Sequence, residues 1–123
     1  MKVLVFGSRK WMDQGRIERE LRKLPPGAIL VHGAATGADN IGGYVGATLG
    51  FVVRAYPADW ATYGKAAGTI RNQTMLDKEH LAEEPFDLAL CFHDDPNLGK
   101  GSADMHRRLL AATPKIEIRV FLR

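Results

Sequence analysis

At 123 residues, 46% of them hydrophobic and 25% charged, the chain is long enough for one domain with a real core and too short for two. Its net charge of +3 is unevenly spread: residues 1–24 carry seven Lys or Arg against three Asp or Glu, while residues 77–95 carry one Lys against seven acids. No basic stripe of the kind that duplex DNA selects appears beyond the first helical segment, no run of apolar residues is long enough to span a membrane, no cleavable leader is visible, and the lone Cys91 excludes an internal disulfide. The expectation is a single domain over residues 1–123, cytoplasmic, with neither a membrane nor a nucleic acid as its partner.

The first apolar run, Val3–Phe6, ends in Gly7-Ser8-Arg9. Asp13 then reads as a helix N-cap ahead of Ile17, Leu21 and Leu24 at i, i+4 and i+7, and Pro25-Pro26-Gly27 stops that helix. A second run, Ala28–Val31, leads into "HGAATGADNIGG" at residues 32–43, and Ala38, Ile41, Val45 and Leu49 repeat the helical period until Gly50. After a third run, Phe51–Val53, the spacing predicts a helix from about Lys65 to Leu81, closed by Glu83-Glu84-Pro85. The fourth run, Leu88–Phe92, is followed by a helix expected to start near Ser102, with Met105 and Leu109 inward and Pro114 beyond its end; the fifth run is Ile116–Leu122.

Strands alternating with helices, several too uniformly apolar to have one wet face, predict an α/β fold: a doubly wound, mostly parallel five-stranded sheet with helices on both faces. In such sheets ligands bind beyond the carboxyl ends of the strands, where the crossover direction reverses. The stretches to read for function are therefore Gly7-Ser8-Arg9, His32–Asp39, Tyr56–Gly68 and His93–Ser102.

Gly33 and Gly37 bracket the turn into the second helix. The spacing is neither G-x-G-x-x-G nor a P-loop, but the physics of those motifs applies: glycine lets backbone N–H groups close on an oxyanion, and a helix N-terminus adds partial positive charge. A phosphate is the natural guest. Gly42, Gly43 and Gly46 lie inside the helix, where each is unfavourable by roughly 0.5–1 kcal/mol against alanine, and close packing is the simplest reason for them. "NLGKGSADMHRR", residues 97–108, is a second candidate anion loop, with Gly99 and Gly101 flanking Lys100 and Ser102 placed to cap the next helix. Three glycine-bearing loops after three strands of one sheet would converge on one cleft.

"FGSRKW", "HGAATGAD", "YPADWATYGKAAGTIRN" and "NLGKGS" together resemble the YspA-type branch of the SLOG superfamily, whose relatives include the Lonely Guy phosphoribohydrolases and the DNA-processing protein DprA. The resemblance implies a Rossmann-like sheet whose glycine loops hold a nucleotide or nucleotide-derived ligand. In Lonely Guy enzymes an R-K-x-x-M segment and a P-G-G-x-G-T-x-x-E segment carry binding and cleavage of the base–ribose bond. Arg71-Asn72-Gln73-Thr74-Met75 resembles the first, with Arg71 as its arginine, and Gly101–Met105 resembles the end of the second, which places Met105 where the glutamate belongs. Methionine cannot stabilise a cationic sugar, and Asp104 is turned by about 100° on the helix.

Independently of the resemblance, Arg71 in the second turn of its helix is placed to bind a phosphate bidentately, and Asn72 to read a base or ribose hydroxyl. His32 and Asp39 form a candidate acid–base pair; a hydrogen-bonded structural histidine is the other reading. His93-Asp94-Asp95 offers carboxylates to Mg²⁺, or is a solvated acidic turn. His80, His93, His106 and Cys91 have no metal-ligand spacing, and Cys91 reads as core. Tyr56, Trp60 and Tyr63 are candidates to stack on a base or to pack their own loop, with Asp59 a candidate acceptor for a ribose hydroxyl.

The ligand-binding set is thus Gly7, Ser8, Arg9, Gly33, Gly37, Asp39, Arg71, Asn72, Gly99, Lys100, Gly101 and Ser102, with His32, Asp39 and Asp104 as the catalytic candidates. The expected partner is a small nucleotide-type ligand, without a resident metal, in a homodimer. Binding as a sensor or accessory of nucleotide metabolism is the leading expectation; N-glycosidic hydrolysis and DprA-like single-stranded DNA binding are the alternatives.

Overall fold

The five apolar runs become five parallel strands, and their burial follows their place in the sheet. A computed structural model describes all residues 1–123. Its elements run β1 (Lys2–Gly7), α1 (Gln14–Leu21), β2 (Ile29–His32), α2 (Ala38–Thr48), β3 (Val52–Ala55), α3 (Trp60–Tyr63), α4 (Ala67–Met75), β4 (Leu88–His93), α5 (Gly99–Ala111) and β5 (Glu117–Leu122). The strand order is β3-β2-β1-β4-β5, and every pair is parallel. The central strands β1 and β4 are buried along almost their whole length, whereas the edges β3 and β5 keep charged residues such as Arg54, Glu117 and Arg119.

Alternate residues of each strand feed two cores. Val3, Val5, Leu30, Leu88, Leu90 and Phe92 pack with Ile17, Leu21 and Val45 of α1 and α2. Leu4, Phe6, Val31, Ala89 and Cys91 pack on the other face with Met75, Leu76, Met105 and Leu109, beneath α4 and α5. The chain winds outward through β2 and β3, then crosses back to β4, so β1 and β4 are neighbours whose crossovers lie on opposite faces. That pair is the switch point. No helix is long and apolar enough to cross a membrane.

Local signals hold at α1, where the Asp13 carboxylate accepts from the Arg16 N–H at 3.0 Å. The interior glycines of α2 are packing glycines: a Cβ would come within 2.7 Å of Val5 at Gly42, 2.5 Å of His32 at Gly43 and 2.9 Å of Leu30 at Gly46. Two boundaries differ from expectation. The segment expected as one helix from Lys65 to Leu81 is preceded by α3, opens with a 3₁₀ turn at Gly64–Ala66, and ends in a π-helical turn at Leu76–Leu81. Helix α5 starts three residues before Ser102, because Leu98 and Gly99 both take left-handed φ values of 65° and 62° and turn the chain early. Ser102 therefore does not cap α5; it is buried within its first turns.

Candidate functional site

A cleft of about 520 Å³ opens at the carboxyl end of the sheet, over the junction of β1 and β4. Phe6, Met75, Leu98 and Met105 give it an apolar floor. Gly7, Ser8 and Arg9 enter from the β1 end, and Gly99–Ser102 from the first turn of α5. No side chain caps α5, so its opening N–H groups and the adjacent Lys100 face this space with their anion-binding capacity intact.

The 33–37 loop is differently arranged. The Gly33 N–H donates to the Asp39 carboxylate at 2.9 Å, the Ala34 N–H to His32 Nδ1 at 2.9 Å, and the Ala38 N–H to the Ser8 carbonyl at 3.0 Å. Much of the donor capacity expected for a phosphate is thus satisfied by the protein. Gly37 lines no part of the cleft; with φ of 84° and the Ser8 and Arg9 backbone against its Cα, it seats α2 on the β1 loop. Gly33 leaves room for the Arg71 guanidinium and lines a smaller adjoining pocket.

Arg71 lies in the second turn of α4 and borders the cleft, as its place in the sequence suggested, but protein groups already hold much of its guanidinium. It donates to the carbonyls of Gly33 and, at 3.4 Å, Tyr56, and through Nε to Asn72 Oδ1 at 3.0 Å. No carboxylate pairs with it directly, and burial holds its pKa below the usual arginine value. Buried Asn72 passes the chain of bonds on, donating to Asp104 at 3.0 Å, so its role is to lock α4 onto α5.

The catalytic candidates separate. Asp104 faces away from the cleft lining: burial alone would raise its pKa, yet hydrogen bonds from Arg108 and Asn72 and the charge of Arg107 hold it low. His32 and Asp39 make no hydrogen bond to each other. His32 is packed against α2 and kept neutral, its pKa lowered by burial and by Arg71. Met105 is fully buried in the floor.

Asp39 is the one carboxylate in the lining, and burial raises its pKa to about 6 against the opposing pull of Arg71 and backbone N–H groups. A folded-state pKa above the unfolded value stabilises the fold at low pH, and that stabilisation is lost as pH rises through about 6. The shift corresponds to up to about 3 kcal/mol. Asp104 and Glu79 have the opposite sign, since their lowered pKa values stabilise the fold until acid protonates them. The Asp39 contribution to stability in urea titrations should therefore decline as pH rises from about 4 to about 6, against an opposing rise from His32, whose lowered pKa has the opposite sign. Asp39→Asn, which keeps an acceptor for Gly33, should flatten that decline; an unchanged slope would refute the assignment.

Lys65, Gly68, Thr69, Met75 and His93 also line the cleft, outside the expected ligand-binding set, although Lys65, Gly68 and His93 lie in the strand-end stretches and Met75 in the Arg71–Met75 segment. Gly68, Arg71, Asn72 and Met75 follow the i, i+3, i+4, i+7 spacing of one helical face, a signal present in the sequence. His93 accepts the Asp95 N–H through Nδ1 and belongs to the cleft wall, while no three His, Cys, Asp or Glu side chains stand close enough to hold a metal. Of the aromatics, Tyr56 is fixed by donating to Glu79, Tyr63 lies outside the cleft, and Trp60 borders it with the Arg9 guanidinium 5.5 Å from its ring centre. Asp59 caps α3 by accepting the Thr62 N–H and lines neither part of the cleft.

Fold and site define a doubly wound, all-parallel α/β domain with a basic, glycine-lined cleft at its switch point. The chain belongs to the YspA, cpYpsA-related SLOG family, whose model matches residues 1–63. It is 36% identical over 84 residues to the Gene 61 protein of Mycobacterium phage D29, which covers 61% of this chain and 67% of that protein. No solved structure matches. The family match contains the β1 loop, the 33–37 loop and Trp60, and supports a nucleotide-related function in general terms; Arg71 and α5 lie beyond it.

Proposed function

We infer that the cleft binds a nucleotide or nucleotide-derived phosphorylated ligand, as a sensor or accessory of nucleotide metabolism. The observation that carries this reading is the uncapped first turn of α5, which opens beside Gly7, Ser8 and Lys100 above an apolar floor. A phosphate at that turn meets backbone donors, the helix dipole and a lysine together. Phe6, Met75, Leu98 and Met105 offer the base a surface from which water is excluded. Burial of Met105 and the turning of Asp104 toward arginines favour binding over N-glycosidic cleavage.

Thermal unfolding against a panel of nucleoside mono-, di- and triphosphates tests this. A true ligand at a hundredfold excess over Kd stabilises the fold by about 2.7 kcal/mol, a Tm rise on the order of 10 °C for a chain of this size. Exposed Lys100 is absent from every ion pair, so Lys100→Ala should leave the free protein's Tm nearly unchanged and remove much of the rise. No shift with any nucleotide would overturn the reading. Rapid release of free base by the unaltered protein would replace it with the hydrolase.

A further inference from the structure

The cleft has a second compartment that one nucleotide seated at α5 leaves unexplained. It is a pocket of about 310 Å³ on the far side of Arg9 and Arg71, walled by Ala34, Thr36, Pro57 and Ala58. Arg9, Ala35, Trp60 and Arg71 belong to both compartments, so the two spaces join along that line. The junction is cationic: Arg9 is exposed and in no ion pair, and Arg71 has no carboxylate partner. The smaller space contains no acidic side chain, and Trp60, 49% exposed, borders it.

Two guanidinium groups between two chambers suit an anion that links two larger groups. Arginine matches phosphate oxygens in a planar fork, and an exposed tryptophan face accepts a nucleobase of any identity. Arg9 already holds its guanidinium against the Trp60 ring, so the cation and the stacking face are delivered by neighbouring side chains. We propose that the site takes a dinucleotide, one nucleotide over the Met75–Met105 floor with its phosphate at α5, the linking phosphate at Arg9 and Arg71, and the second nucleoside in the smaller compartment against Trp60. The inference rests on the nucleotide reading above and extends it to the class of ligand.

Binding measured with adenosine monophosphate, 5′-phosphorylated diadenylate and diadenosine diphosphate tests it, the last two separating a phosphodiester from a diphosphate link. At least one dinucleotide should bind about tenfold or more tightly than the monophosphate, the least expected of a second tethered contact. It should also quench Trp60 emission, a signal that Trp60→Phe removes while buried Trp11 remains as the internal reference. Ala58 lines the smaller compartment alone, so Ala58→Phe should fill that space, erase the dinucleotide advantage and leave monophosphate binding in place. Equal affinity for all three probes, or an advantage that survives Ala58→Phe, would overturn the two-compartment reading while the nucleotide reading stands. Binding of none of them, in protein shown to be folded by its thermal transition, would overturn both.

Discussion

Gly7→Ala should destabilise the fold by at least about 4 kcal/mol, lowering Tm on the order of 15 °C. Gly7 pairs with Phe92 on the last rung between β1 and β4, and a Cβ there would overlap the Phe92 carbonyl oxygen, a backbone atom that no rotamer change can move. That same oxygen accepts the Ser8 N–H at 2.9 Å, so separating the strands to admit a methyl group orphans a buried donor as well. The φ of 154° adds backbone strain for any side chain. Gly101→Ala is the control, since open space surrounds Gly101 on α5 and the change should be neutral to slightly stabilising. Calorimetric melts of the two variants separate a steric requirement at the switch point from a general intolerance of glycine substitution. A Gly7→Ala protein that melts with the parent would show the strand contact to be looser than described.

A loss of about 3–5 kcal/mol is expected for Glu79→Ala. Glu79 is 2% exposed and receives Lys2 Nζ at 3.0 Å, Arg54 at 2.7 Å and the Tyr56 hydroxyl, while Glu83 completes a neutral group of two cations and two carboxylates. Removing Glu79 leaves the buried Lys2 ammonium underpaired, and an uncompensated charge out of water is far less favourable than the pair is favourable. The double variant Lys2→Met/Glu79→Leu should recover much of the loss, because it removes both buried charges together. Denaturant melts of the single and double variants decide this; a double variant no better than Glu79→Ala would place the loss in packing or in Tyr56 instead of charge. Tyr56 also lends its carbonyl to Arg71, so the network far beneath the cleft steadies one of its walls.

The strands and their mostly parallel direction were legible because Val3–Phe6 and Leu88–Phe92 are buried on both faces and carry almost no polar residues, while the order of the strands was not. Gathering of the β1, 33–37 and α5 glycines at one end of the sheet was legible for the same reason. The division of labour between the loops was not. Gly33 and Gly37 look like phosphate glycines in the sequence, but the Asp39 carboxylate, six residues on, takes the Gly33 N–H, and the Ser8 carbonyl, thirty residues back, takes the Ala38 N–H beside Gly37. The early start of α5 was hidden because leucine is an unlikely residue for a left-handed position, and Leu98 adopts it in order to bury its side chain in the cleft floor. Lys2 and Glu79 read as surface charges in any composition count. Only the fold brings them within 3.0 Å of each other across seventy-seven residues of chain.

The π-helical turn at Leu76–Leu81 sets a limit on chain length. Asp77 and Lys78 are exposed there and look like residues a shorter sequence would do without, yet they are what places Glu79 under Lys2 and His80 Nδ1 against the Phe86 N–H. Deleting either one would let the turn tighten into a regular α-helix, and every following side chain would swing by about 100° around the axis. A charged residue would then face the core and His80 would leave the bond that starts the run into β4. Substitution at these two surface positions is therefore tolerable where deletion is not.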